Sequence, residues 1–181
     1  MQFERYYAFI GARDLTDVPD EGLTLYCQVA HTCGKKGYLV KTGAAPGADQ
    51  RAAETCLNAG GAVALYLPWN GYEATWVAQM KARHGERVWV ADSQPMRHIQ
   101  AVAAIAHHPA PEQLQPPVRK LMARNYLIVA ETQGIFAIPR PPCQGGTAHG
   151  IKCGEVLGIP TYNLSVPTGI ALFHARLKQT A

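Results

Sequence analysis

Two glycine-rich stretches carry the residues best suited to chemistry: TGAAPGAD at residues 42–49 and QGGTAHG at residues 144–150. A backbone approaches an anionic ligand closely only where side chains are absent, and the N–H groups that open a helix offer positive potential. Gly43 and Gly47 in the first stretch, and Gly145 and Gly146 in the second, are therefore candidate phosphate cradles. Thr42 and Thr147 add hydroxyl groups to them. Asp49 suits two tasks, capping the following helix or accepting a hydrogen bond from a ribose hydroxyl. His149 can donate to a phosphate or a sugar, or lie as a polar group at a helix start.

Cationic chemistry comes from VRKLMARN and IGARD. Arg124 and Asn125 pair a planar guanidinium fork with an amide, both suited to phosphate or base edges. Lys120 lies four residues before Arg124 and shares its helix face, which Arg119 does not. Arg13 follows Gly11 at the end of the first apolar run. A solvated basic face is the competing account of these side chains. His107 and His108 form a candidate pair for anion binding or proton transfer. Cys143, His149 and Cys153 offer three zinc-type donors, but they lack a fourth ligand and the usual paired spacing, which favours small residues packed around a turn. The five cysteines are odd in number and contain no CxxC pair, which argues against a disulfide framework.

The elements that position these residues alternate along the chain. Residues 6–10 form a short apolar run ending at Gly11, a buried strand followed by a turn. Residues 22–33 have helical spacing, residues 38–41 read as a strand, residues 50–58 as a helix behind Asp49, and residues 62–67 as a third strand stopped by Pro68. The order βαβαβ with short links implies a parallel, doubly wound sheet with right-handed crossovers. Further helices are expected at residues 74–83, 95–107 and 118–129, with residues 87–91 either a strand or an extended connection. A second βαβ unit follows, with strands at 134–139 and 161–166 around a helix at 148–157. Ligands of such sheets bind at the carboxyl ends of the strands where strand order reverses. Both glycine loops and the Gly11–Arg13 turn face one crevice if the first strand is central. Trp69, Tyr72 and Trp76 are candidate walls for it.

The composition is compatible with one domain over residues 1–170 and a tail at 171–181. The formal charge of +4 arises from 17 basic and 13 acidic residues dispersed along the chain, without the basic blocks of a nucleic-acid arm. No apolar run approaches the roughly 18 residues of a membrane helix, and MQFERYY carries charge where a secretory signal needs an apolar core, so a cytoplasmic protein with no membrane partner is expected.

IGARD, TGAAPGADQRAAE, LPW, HHP, RKLMARN and GGTAHGIKCGEVLGIPTYNL occur in an order that resembles the SLOG superfamily of Rossmann-like proteins, which includes DprA (Smf) and the LOG phosphoribohydrolases. The likeness runs from about Tyr6 to Leu164 and is nearest to small DprA-like proteins of bacteriophages and prophages. It implies a Rossmann-like sheet in the bacterial cytoplasm, that of a phage-infected host included, with a nucleotide-type ligand above the loops. No cofactor is required by it, and a homo-oligomer is in keeping with it. LOG enzymes carry PGGxGTxxE, whose glutamate assists N-glycosidic cleavage. Here the position three residues past Thr147 is Gly150, and the nearest acid is Glu155.

Three functions stay open. The first is a sensor or carrier of a nucleotide or nucleotide-derived ligand. The second is a nucleotide-processing enzyme such as a nucleoside 5'-monophosphate N-glycosidase, with Asp49, His107, His108, His149 and Glu155 as candidate acid/base groups. The third is a DprA-like single-stranded DNA-binding protein.

Overall fold

Side chains that alternate with period two along the strands are sorted onto two faces, and each face recruits its own helices. In β1 (Tyr6–Gly11), Phe9 turns to one face while Ala8 and Ile10 turn to the other. The computed structural model describes residues 3–91, 108 and 110–180. After β1 come α1 (Asp20–Lys35), β2 (Leu39–Thr42), α2 (Ala48–Asn58), β3 (Ala62–Tyr66), α3 (Ala74–His84) and β4 (Val88–Ala91). The second half holds α4 (Pro116–Val129), β5 (Gly134–Ile138), α5 (Gly145–Val156), β6 (Thr161–Asn163) and α6 (Pro167–Thr180). Short 3-10 turns precede β4 and α4.

The six strands form one sheet in the order β4-β3-β2-β1-β5-β6, and every pair is parallel. This is the α/β, Rossmann-like doubly wound architecture expected from the sequence. β1 is central, with β2 on one side and β5 on the other, so strand order reverses between β1 and β5. The first face packs Phe9, Val40, Val63, Leu65 and Phe136 against α1, α2, α3 and α6. The second face packs Ala8, Ile10, Ile135 and Ala137 against Ile128 and Val129 of α4 and Cys153 of α5. Lys41 of β2 points to this second face. Its ammonium donates to the Ala130 carbonyl at 2.6 Å and lies 5.0 Å from the Tyr66 ring centre, and burial lowers its pKa to about 8.

Several expectations need correction. Asp49 does not cap α2: Gly47 occupies the cap position, helix begins at Ala48, and no side chain caps it. The helix of the second glycine stretch starts at Gly145, three residues earlier than its pattern suggested. The last strand ends at Asn163, because the Asn163 side chain accepts from the Ser165 amide and Pro167 then opens a helix. Residues 87–91 resolve into Arg87 in a 3-10 turn and a true strand from Val88. The expected tail at 171–181 is, up to Thr180, the later part of α6. Phe173 of that helix is buried against Phe136 and Tyr162, with ring centres 5.4 and 5.5 Å away. The helix expected at 95–107 lies outside the described residues, as does His107. Among the described residues, no helix is long and apolar enough to cross a membrane.

The packing of α6 can be tested directly. Phe173→Ala is expected to cost about 3–5 kcal/mol of unfolding free energy in urea titrations. Leu172→Ala, at a position 61% exposed on the same helix, should stay within about 0.5 kcal/mol of the parent.

Candidate functional site

A cleft of about 380 Å³ opens at the carboxyl edge of the sheet, between the ends of β1 and β5. This is where an open α/β sheet splits its loops apart and admits a ligand. Gly11, Arg13, Asp49, Arg124, Asn125, Gly146 and Thr147 line it, so residues singled out at the end of β1 and on three helices, α2, α4 and α5, converge. Thr42, Gly43, Gly47 and Gly145 do not line the cleft but stand behind or beside it.

Burial of a charged pair sets the floor. Arg124 of α4 and Asp49 of α2 each have side chains 6% exposed, and Nη1 of Arg124 donates to Oδ2 of Asp49 at 3.3 Å. The same carboxylate oxygen accepts from the Ala45 amide at 3.3 Å. Arg124 carries five N–H donors, and its buried Nε has no hydrogen-bond partner. Desolvation raises the Asp49 pKa above 3.8 despite the Arg124 charge and the amides of Ala45 and Gly43 that oppose it. The carboxylate thus satisfies one corner of a guanidinium that retains donor capacity.

The two glycine loops do different work. A Cβ at Gly43 would stand 1.4 Å from Nη1 of Arg124, so this glycine makes room for the guanidinium rather than for a ligand. Gly47 has φ 84°, and a Cβ there would fall 2.3 Å from the Arg13 carbonyl, so it lets the β1 and β2 loops touch. The first N–H of α2 is already used, donating from Ala48 to the Ala12 carbonyl at 3.0 Å. The start of α5 is different. The side chain of Gln144 at its cap position does not cap the helix, and Gly146 and Thr147 of the first turn line the cleft. An anion there meets the positive end of α5. The Asn125 amide donates to the Gly146 carbonyl at 2.9 Å and fixes α5 relative to α4.

The mouth of the cleft holds residues that the sequence did not single out. Arg140, just past β5, pairs with Asp17 at 3.2 Å and Asp14 at 3.7 Å, bridging the loops after β5 and β1. Thr16, through its amide and hydroxyl, holds the Asp14 carboxyl below the usual range. Gln144, Ala45, Leu121 and Met122 complete the walls. Arg140 and Asp14 each follow a strand end, the one signal in the sequence that could have marked them. On the same loop as Asp14, Nη2 of Arg13 donates to the Tyr72 hydroxyl at 2.9 Å. Trp76 instead donates to Glu54 of α2, on the first face of the sheet.

Of the described acid/base candidates, Asp49 lines the cleft and the others are placed elsewhere. His149 is buried with Cys153 Sγ 3.8 Å from its ring nitrogens, and its ring centre is 6.5 Å from that of His108. Glu155 is exposed and pairs with Lys152 at 3.2 Å. None of these three lines the cleft. Cys143 is exposed and Cys153 buried, and the described residues hold no group of three or more donors able to bind a metal ion.

Removing one member of the buried pair leaves the other charge without compensation, so Asp49→Ala is expected to lower stability by about 3–5 kcal/mol. Asp49→Leu combined with Arg124→Met should recover most of that loss in the same urea titration, because both desolvation penalties vanish together. The pH dependence has a definite sign. The native Asp49 carboxyl binds its proton more tightly than in the unfolded chain, so its ionisation cost is absent below 3.8 and grows as pH rises through the raised native value. Unfolding free energies at stepped pH should show this decline in the parent and not in Asp49→Asn.

No protein-family model matches the sequence, and no curated protein matches it. Solved structures do. DNA processing protein A from Streptococcus pneumoniae superposes with a TM-score of 0.54 at 13% identity, covering 89% of this chain and 50% of that one. The Helicobacter pylori protein, whose structure addresses its single-stranded DNA binding mode, superposes with a TM-score of 0.56 at 16% identity over 88% of this chain and 64% of that one. This chain spans between half and two thirds of the length of these neighbours, and what the likeness shows is the fold: a Rossmann-like sheet of the kind found in DNA processing protein A.

Proposed function

We propose that the cleft binds single-stranded DNA by taking the phosphate of one nucleotide against Arg124 and the amino end of α5. The observation that carries this reading is the Arg124 guanidinium, held by Asp49 through Nη1 alone, on the floor of a cleft that the uncapped turn of α5 also lines. A buried cation with unspent donors gains charge-assisted hydrogen bonds from an anion. Helix-end N–H groups and Arg13 on the rim add to the attraction. The polymeric form of the ligand is favoured by the shared fold with DNA processing protein A, one of whose structures concerns single-stranded DNA. The same reading places the chain in the SLOG superfamily, among its DprA-like members.

A free nucleotide, sensed or carried, is the second reading. A cleft of about 380 Å³ is within the range of small-ligand pockets and suits a single nucleotide. Cleavage of that nucleotide has less support, since His108, His149 and Glu155 stand outside the cleft and its two aspartates, Asp14 and Asp49, are engaged with arginines.

Calorimetric titration with thymidine 5'-monophosphate, alongside anisotropy titration with a labelled oligothymidylate, tests these readings. We expect the oligonucleotide to bind with an affinity that falls as salt rises, since phosphate contacts release counterions. Gly146→Asp should weaken both ligands by at least about tenfold, the loss of one charge-assisted contact and more. A Cβ at Gly146 comes no closer than 3.4 Å to Asn125 Nδ2, so this variant should remain folded. Arg124→Ala should weaken binding similarly. Failure of both ligands to bind at low salt overturns the proposal; binding of the mononucleotide alone selects the second reading, and release of free base selects the enzyme.

A further inference from the structure

Sequence order separates the aromatic residues of the middle of the chain from the arginine after β1, but the fold brings them into contact beside the cleft. Arg13 lines the cleft, and its Nη2 donates to the Tyr72 hydroxyl at 2.9 Å. Tyr72 is buried and packs edge-to-face on Trp69, with ring centres 5.1 Å apart and planes at 88°. The Tyr72 amide donates to the Trp69 carbonyl at 3.2 Å, so a tight turn holds both rings in register. Trp69 is half-buried and stands just past the carboxyl end of β3, two strands from β1 in the sheet. Strand spacing puts that about 10 Å to the side of the cleft.

We propose that Trp69 is a stacking platform for the base next to the nucleotide held in the cleft, reached along the Arg13–Tyr72 bridge. The inference rests on the single-stranded DNA reading and extends it from one nucleotide to a path with a direction, from the β1–β5 cleft toward β3. The chemistry is that of sequence-tolerant single-strand binding, in which a cationic groove follows phosphates and aromatic faces take the bases. Arg13 supplies the cation between the two positions, and Tyr72 holds both Arg13 and the indole in place. Trp76 and Trp89 cannot serve the same track. Trp76 is tied to Glu54, and Trp89 lies on β4 beside Phe3, Tyr6 and Tyr66 in a separate cavity.

Trp69 is also its own reporter. In a Trp76→Phe, Trp89→Phe background, indole emission is titrated with thymidine 5'-monophosphate and with oligothymidylates of two to six residues, and binding of each is measured independently by calorimetry. The mononucleotide should bind with little change in emission, and oligomers should quench it. Trp69→Ala should weaken oligomer binding about 5- to 150-fold, the range expected for one stacked base, with the mononucleotide affinity retained. Trp69→Phe, which keeps an aromatic face, should recover most of the oligomer affinity and guards against an unfolded alanine variant. Oligomer binding without quenching, or equal oligomer affinity in the parent and Trp69→Ala, overturns the stacking platform while leaving the cleft proposal standing. Failure of every ligand to bind overturns both.

Discussion

The burial of Arg124 against Asp49 is the constraint on which the site depends. Two charges with 6% exposure are costly to desolvate, and their single 3.3 Å contact returns only part of that cost. The surrounding chain is shaped to accept them. Gly43 has no Cβ because the guanidinium occupies that space, and the amides of Ala45 and Gly43 turn toward the carboxylate. The Gly47 loop, in turn, can meet the β1 loop only because no side chain stands between it and the Arg13 carbonyl. An apolar pair would hold α2 and α4 with less penalty, so stability alone does not account for a buried cation at this position.

The topology sets that cation on the floor of a cleft. β1 has α2 and the β2 loop on one side and β5 with α5 on the other, because the chain builds outward from β1 in one direction before returning to add β5 and β6. The loops therefore part above β1, and the cleft forms there without further architecture. Its two sides differ in character. On the β2 side the first amide of α2 and the Asp49 carboxylate are already engaged. On the β5 side, α5 begins without a capping side chain, and Asn125 fixes its position through the Gly146 carbonyl. A phosphate has more to gain from the second loop than from the first, although the two look alike as strings of residues.

Much of the fold was legible because the cues were local. Apolar runs such as residues 6–10 and 62–67, glycines at the ends of helices and the βαβ rhythm follow from the backbone preferences of a few neighbouring residues. Where tertiary packing or side-chain competition decides, the cues failed. Asn163 ended β6 early through its own side chain, and α6, which has no strong amphipathic pattern, is held by Phe173 against rings from β5 and β6. Asp49 occupies a position typical of helix caps, but a buried arginine 75 residues away in sequence turns its carboxylate inward.

By itself the sequence determined the α/β class, the parallel sheet and several of the residues that line the cleft, since these follow from residue type, spacing and short-range geometry. Only the tertiary structure decided which of them meet. It joined Arg124 to Asp49, closed Arg140 onto Asp14 and Asp17, set His149 beside Cys153 outside the cleft, and linked Arg13 through Tyr72 to Trp69. The physical reason is range: backbone preferences act over a few residues, whereas burial and pairing of charge act across whatever surfaces the strand order brings together.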